Sequence, residues 1–338
     1  MLIQREVIYI IGIKDVAAAA GVSVATVSRV LSGAAAVSEK TEEAVRAAAK
    51  RLGYHPNLLG RNLRCNRTKV ILVMLVSLQN TFCSSVIRGI EGAAEAAGYS
   101  IMVCVTHGLP ESERKYLDFV RNRLADGIII LNSSLSGDEM RALSRDIPVV
   151  QCCEYSDVSD TPFVSIDNES AAYESVSRLI DAGRRKIAFI GVNNNYISSE
   201  QRLAGYKRAL AEGGLPFDAG LVVWGNYGYR NALRGFGEFL DSGSAPDAVF
   251  AISDRMAAGA ISALLQRGIS IPEQVSVIGF DNTDITYMFT PKITTVAQPQ
   301  TELGAAAFSS LSALIGGDRP ENVILKHRLV IRESTTQI

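Results

Sequence analysis

Side chains able to do covalent or acid–base chemistry are few in this sequence, and their spacing assembles no catalytic group. The three histidines, His55, His107 and His327, are far apart, and none falls in a Ser/His/Asp or Cys/His spacing. The five cysteines, Cys65, Cys83, Cys104, Cys152 and Cys153, form no Cys-x-x-Cys pair and have no histidine cluster beside them. An odd number without such spacing argues against a disulfide framework and a zinc site, so buried free thiols are expected. A nucleotide-dependent enzyme would carry a glycine-rich turn after its first strand. Here that position reads Ser77-Leu78-Gln79-Asn80-Thr81, with neither G-x-G-x-x-G nor a Walker lysine. No catalytic residue, cofactor or metal is expected.

The chemistry that the composition favours is phosphate binding near the start of the chain. The net charge of −1 hides a division: up to Lys69 there are eleven Lys/Arg against five Asp/Glu, a net of +6, and the remainder, 23 against 30, carries −7. Clustered cations release counterions from nucleic acid, whereas the acidic remainder would repel it. The 338 residues are too many for one core, no apolar run reaches the roughly 18 residues that cross a bilayer, and Val7–Ile11 is too short for a signal peptide. The chain is expected to stay in the cytoplasm.

Three short helices position the basic residues. The first, Ile13–Ala20, stops at Gly21, a residue suited to a left-handed helix end. Ser23 is placed to cap a second helix, Val24–Leu31. Its Val27, Val30 and Leu31 face Val16 and Ala20, leaving Val24, Ala25, Ser28 and Arg29 nearer the other side. A third helix follows Ser38, with Ala44, Val45, Ala48 and Leu52 as its apolar stripe, and ends at Gly53. This spacing predicts a helix-turn-helix unit whose second helix enters the major groove.

The runs Ile13-Lys14-Asp15-Val16-Ala17 and Ala20–Leu31, with Val37-Ser38, Thr41, Leu52-Gly53-Tyr54 and Pro56-Asn57, resemble the head of the lactose/galactose-repressor family nearly residue by residue. Gly12 stands where that family usually has a capping Thr, and residues 1–11 have no counterpart. The resemblance implies DNA contacts by Ser23, Val24, Ala25, Thr26, Ser28, Arg29, Ser38, Thr41, Tyr54 and Asn57. Read alone, Leu58–Arg67 is a basic linker of poor helix quality because of Gly60 and two asparagines. The resemblance makes it a hinge helix that orders on DNA, with Leu63 as a minor-groove wedge. Val24 and Ala25 imply a pseudo-palindromic operator centred on CG.

From Val70, apolar runs alternate with amphipathic stretches. Strands are expected at Val70–Val76, Ser100–Val105, Gly127–Leu131, Val149–Cys153, Lys186–Gly191, Ala248–Ala251 and Val275–Phe280. Helices are expected at Ser84–Ala97, Ser170–Ala182, Glu200–Glu212 and Arg255–Gln266. Such alternation predicts parallel sheets that bind ligands at the strands' carboxyl ends. The body resembles the periplasmic sugar-binding-protein fold that this family uses as its sensor.

That resemblance makes Arg202 and Asp281 the ligands of effector oxygens, and Phe82 and Tyr227 aromatic walls of the cleft. Cys153, Glu154 and Ser253 fall at further effector positions. Cys83 stands where a second aromatic is frequent, Ser253 where Asn often occurs, and Cys153-Glu154 where many members have Asp. Glu154, with Glu91 and the 278–299 stretch, looks most like the cytidine-repressor branch, which implies a sugar- or nucleoside-like effector.

The expected architecture is thus an all-α helix-turn-helix head with a hinge helix, joined to an α/β two-lobed periplasmic-binding-protein-like body with parallel sheets. The expected divisions are 1–12, an extension; 13–56, the DNA-binding domain; 57–69, the hinge; and 70–338, the effector-binding body. Its lobes are 70–167 plus 298–326, and 168–297 plus 327–338. No leucine heptad follows Ser334, so a homodimer on a double-stranded DNA operator is expected rather than a four-chain coil. The expected function is that of a repressor released by its effector. The alternatives are a co-effector-dependent repressor or activator of the same family, or a sugar-binding protein without DNA regulation.

Overall fold

The computed structural model describes residues 11–32, 37–54, 67–156 and 158–336. The chain divides into two compact units, with the boundary between Thr68 and Lys69.

The first unit holds α1 (Ile13–Ala20), α2 (Val24–Ser32) and α3 (Glu39–Leu52). Local chemistry fixes their ends. Gly12 offers no side-chain cap to α1, and Asp15 instead bonds back to the Gly12 N–H at 2.8 Å. Gly21 takes a left-handed φ of 65° and donates to the carbonyls of Ala17 and Ala18. The Ser23 and Ser38 hydroxyls accept the Thr26 and Thr41 N–H groups at 3.1 and 3.4 Å, so both serines cap their helices. Val16, Ala17, Val27, Val30, Val45, Ala48 and Ala49 form the core. Ala44, expected on the α3 stripe, is exposed, and Ala49 takes its place, giving the regular helical spacing 45, 48, 49, 52.

The second unit contains two six-stranded sheets. The first lobe runs β1 (Val70–Leu75), α4 (Thr81–Ala96), β2 (Ser100–Val105), α5 (Pro110–Arg121), β3 (Gly127–Ile130), α6 (Gly137–Asp146), β4 (Val149–Cys152) and β5 (Phe163–Ile166). The second runs α7 (Asn168–Asp181), β6 (Ile187–Val192), α8 (Ile197–Glu212), β7 (Val222–Gly225), α9 (Tyr229–Asp241), β8 (Ala248–Ala251), α10 (Asp254–Leu265), β9 (Ser276–Asp281), α11 (Ile285–Met288) and β10 (Thr294–Ala297). The chain then returns to the first sheet through α12 (Gln300–Gly316) and β11 (Val323–Leu325), and closes the second with β12 (Arg328–Val330). Three crossings thus join the lobes.

Strand order is β11-β5-β4-β3-β1-β2 in one sheet and β12-β10-β9-β8-β6-β7 in the other. Pairing is parallel throughout except β12, which runs antiparallel to β10 at the sheet edge. In each sheet the order reverses beside the lobe's first strand, β1 or β6. This opens a crevice at the strands' carboxyl ends. The expected helices begin earlier than their apolar periodicity suggested, because polar caps precede them: Asn80 caps α4, Asp167 caps α7 and Ser253 caps α10. α4 and α12 approach closely through glycine: a Cβ on Gly89 or Gly304 would lie 2.0 Å from a carbonyl oxygen of the facing helix. Among the described residues no helix is long and apolar enough to cross a membrane.

Candidate functional site

In the first unit, the outward side of α2 carries Val24, Ala25 and Arg29, all exposed, with Ser28 and Thr26 half-buried beside them. Val27 and Val30 anchor the opposite side, so the core presents this face rigidly. Ser23 and Ser38 spend their hydroxyls on caps and on the neighbouring Thr26 and Thr41 hydroxyls. Tyr54 packs on the same core. Residues 57–66 of the expected hinge, Asn57 and Leu63 among them, lie outside the described residues.

In the second unit, a cavity of about 610 Å³ opens where the two crevices meet. Val76 and Ser77 follow β1, Leu131 and Asn132 follow β3, and Asn194 follows β6; all line it. Of the seven expected effector residues, Phe82, Cys153, Glu154, Arg202, Tyr227 and Asp281 are brought to this wall. Ser253 is not: its hydroxyl accepts the Met256 N–H at 3.3 Å and caps α10, so it is a structural group beside the cleft.

Arg202 is the electrostatic centre. Only 6% of it is exposed; its Nε donates to Asn168 Oδ1 at 2.9 Å and its Nη1 to the Ile252 carbonyl at 2.7 Å. Its guanidinium lies 3.7 Å over the Phe280 ring. Two of its donors are therefore committed to the protein. One edge of the guanidinium is left for a ligand. Around it stand two buried carboxyl groups, Asp281 and Asp254, and the half-buried Glu154. Burial pushes Asp281 up to about 6, while Arg202 and the Gln298 amide, donating at 2.7 Å, pull it back. Burial and then the Asp281 charge push Asp254 up to about 8. Three donors, Thr295 Oγ1, Thr283 N and Thr283 Oγ1, hold Asp254 in place. Burial also raises Glu154, against the Ser198 hydroxyl and N–H and the Arg202 charge.

Glu154 bridges the lobes. It follows β4 in the first lobe, yet accepts the Ser198 hydroxyl at 2.5 Å and N–H at 3.2 Å, at the start of α8 in the second. A carboxylate there also meets the positive end of the helix. Tyr155 accepts the Gln201 amide at 2.9 Å, and Arg255 donates to the Gln79 carbonyl at 2.9 Å, reinforcing the same junction.

Cys83 and Cys153 are neutral wall material. Burial, and then the Asp281 charge, push the Cys83 thiol up to about 12. The Cys152 thiol, 3.7 Å away, and burial raise Cys153. All four described cysteines are free. His327 meets Glu174, and neither it nor His107 lines the cavity. Among the described residues no group of His, Cys, Asp and Glu is arranged to hold a metal ion. The arrangement can stack a small ring, donate from amides and one arginine edge, and accept at carboxyl groups.

Sequence reasoning missed the amides Asn168, Asn194, Asn226, Asn231 and Gln298, and the side chains of Tyr196 and Arg255. The run Asn193-Asn194-Asn195 directly after β6 was a usable signal, since ligands gather at strand ends. A second signal has no sequence counterpart. Cys153, Tyr227 and Asp281 have left-handed φ values of 73°, 62° and 104°. Such backbone costs about 1–3 kcal/mol per residue and concentrates at ligand sites.

Comparison with known proteins agrees with this organisation. Residues 12–57 match the family described as bacterial regulatory proteins, lacI family, and residues 68–333 match periplasmic binding proteins and sugar binding domain of LacI family. Catabolite control protein A of Priestia megaterium is 34% identical, over 96% of this chain and 98% of its own length. The HTH-type transcriptional repressor PurR of Vibrio atlanticus (strain LGP32) is 35% identical over the same shares. Among solved structures, the lac repressor dimer bound to operator and the anti-inducer ONPF superposes with a TM-score of 0.89 at 27% identity, covering 97% of this chain and all of that one. The transcriptional regulator CelR in complex with cellobiose gives 0.73 at 30% identity, covering 96% and 99%.

Proposed function

Because this chain belongs to the lacI family of bacterial regulatory proteins, and is a DNA-binding transcription regulator rather than an enzyme, we propose that it is a repressor whose grip on its operator is released by a sugar- or nucleoside-like effector bound between the lobes. The observation that carries this reading is the convergence of Arg202, Asp281, Glu154, Cys153, Phe82 and Tyr227 on one cavity at the switch points of both sheets. Aromatic walls, amides and buried carboxyl groups suit a neutral ligand rich in hydroxyls.

On the DNA side, residues 13–56 form the reading head and 57–69 the hinge. Arg29 reaches a guanine edge in the major groove, while the small Val24 and Ala25 let α2 approach closely. Leu63 wedges the minor groove at the central CG of a pseudo-palindrome of roughly 14–18 base pairs. A homodimer provides the two heads. Apolar side chains left exposed on both lobes support it: Met102 and Val103 on the edge strand β2, and Tyr287 and Met288 at α11. The protein acts in the cytoplasm, where the DNA is.

The test begins with a thermal-shift screen of the full chain against sugars, nucleosides and their phosphates, since a specific ligand stabilises by mass action. Selection from random DNA then defines the operator, and titrations with and without the best ligand measure coupling. We expect operator affinity to fall at saturating ligand in the wild type and not in Asp281→Ala. A confirmed ligand that leaves operator affinity unchanged overturns the switch.

A further inference from the structure

A second cavity, of about 670 Å³, adjoins the cleft and is also walled by both lobes. The two cavities share Val76, Glu154, Asn194 and Tyr196. The far wall is a fixed loop after β3. There the fully buried Glu113 accepts the Ser133 hydroxyl at 2.7 Å and the Ser134 N–H at 2.9 Å. Ser136 caps α6 and Glu139 bonds back to its N–H, so the loop continues into the helix without slack. Tyr155, stacked on Phe163 at 3.8 Å, forms one side, and Asn194 and Glu200 face it from the second lobe.

The charges of the two cavities differ. Arg202 and Arg255 accompany Glu154 and Asp281 in the first. In the second, among the described residues, every charged lining residue is a glutamate, Glu113, Glu139, Glu154 or Glu200, and no Lys, Arg or His lines it. Serine hydroxyls, asparagine amides and carboxylates are the groups that take up ligand hydroxyls, and bonds to charged acceptors are the stronger ones. An anion would meet like charge in a partly enclosed space, offset only from outside the lining by Arg114, 4.0 Å from Glu139, and by Arg202 beside Glu154.

We propose that the effector has two parts, one ring in the first cavity and a second, uncharged and hydroxyl-bearing ring in this chamber, which rejects phosphate or carboxylate there. This rests on the reading of the cleft as a sugar or nucleoside site. Glu154 stands on the shared wall, so the link between the two parts passes its carboxylate. A neutral disaccharide and a nucleoside share the required chemistry.

Calorimetric titration of the full-length protein distinguishes them: maltose and cellobiose against glucose, and cytidine against cytosine, with maltose 6′-phosphate and cytidine 5′-monophosphate as the charged counterparts. In one series the two-ring compound should bind at least tenfold more tightly than its single ring, and its phosphate at least tenfold more weakly than itself. Ser134→Trp, at an exposed position lining only the second chamber, should reduce the two-ring compound to single-ring affinity and leave the single ring unchanged. Glu200→Lys should narrow the discrimination against phosphate. Single rings that bind as tightly as their two-ring partners, or a two-ring advantage surviving Ser134→Trp, overturn the second chamber alone. If nothing in either series binds, the reading of the cleft falls and this inference with it.

Discussion

The second lobe brings to the cleft a network that is already paired, while the first brings side chains that demand little of their neighbours. Arg202, Asn168, Asp254, Thr283, Thr295, Asp281 and Gln298 are tied by hydrogen bonds within or beside the second sheet. Opposite them stand Phe82, Cys83 and Cys153, apolar or held neutral. The first lobe's polar lining residues Asn80 and Asn132 are spent on their own backbone, and Glu154, its one charged residue at the cavity, has its partner Ser198 in the second lobe. A ligand therefore meets one preorganised wall, and closure adds a second that mainly excludes water. Preorganisation reduces the cost of ordering polar groups on binding. The cost of losing a group should accordingly be large on the second lobe and small on the first.

Arg202→Ala is the strongest challenge to that asymmetry. It leaves Asn168 Oδ1 and the Ile252 carbonyl without their donor and removes the cation facing Glu154 and Asp281. Breaking a buried charge network in this way costs about 3–5 kcal/mol. Urea unfolding of the full chain should show that loss, together with a lost ligand response. A cost no greater than that of a first-lobe cysteine substitution would abolish the distinction between the walls.

Acidity sharpens the same contrast. Asp254 keeps its proton in the folded protein up to about 8, whereas an unfolded aspartate releases it near ~3.9. Between those values the folded state holds a proton that the unfolded chain has given up. This contribution to stability is complete below the unfolded value and is lost as pH rises through the folded one. Asp281 adds the same sign over a narrower window, up to about 6. The melting temperature of the wild type should fall between pH 5 and pH 8, and Asp254→Asn should flatten the part above pH 6. The Thr295 hydroxyl can turn to accept from the new amide. Parallel melting curves for the two proteins over that range would assign the charge to other groups.

How far these features could be read in advance depended on whether a residue's role was local. Gly21, Ser23, Ser38 and Gly53 act within one turn of their own helix, and the sequence located all of them. Seven strands were visible as apolar runs, but the buried β5 and β10 were not, because each has only four residues and Ser165, Thr294 and Thr295 interrupt the apolar run. The edge strands β7, β11 and β12 were not: they are short and half-exposed, and Trp224 on β7 faces solvent for about half its surface. The resemblance supplied the positions of the six expected residues that line the cavity, but their partners could not be read that way. Asn168 meets Arg202 across 34 positions of sequence, and Glu154 meets Ser198 across 44. Ser253, which lines a small pocket beside the cleft with Tyr227 and Asp281, is the opposite case. Its local capping pattern, Ser253 to Met256, was available and outweighed by analogy.

Glu154→Ala tests the one strong bond that the first lobe contributes. It would leave the Ser198 hydroxyl and N–H without their acceptor at the junction, a loss of about 1–3 kcal/mol for buried groups. The lobes should then part more readily, and small-angle scattering of the ligand-free variant should give a larger radius of gyration than the wild type. Identical scattering profiles would mean that Tyr155–Gln201 and Arg255–Gln79 hold the junction unaided.

The smallest effect belongs to the thiols. Cys83 and Cys153 make neutral wall contacts, and burial keeps Cys83 protonated to about 12, so at neutral pH neither offers the thiolate that reacts with alkylating reagents. Iodoacetamide at pH 7.5 should label them only as fast as the protein unfolds, and in denaturant at once. Cys83→Ser changes size little but sets a hydroxyl where a weakly polar sulfur stood. Its cost should stay within about 1–3 kcal/mol, the range for a buried hydroxyl without a full partner, and at the low end because the cavity beside it offers polar neighbours. A ligand affinity that changes by less than threefold in Cys83→Ser and Cys153→Ser, against the lost response in Arg202→Ala, would locate recognition on the second lobe. Rapid labelling of either thiol in the folded protein would instead show a first-lobe wall that opens on its own, and the contrast between a fixed and a passive face would have to be given up.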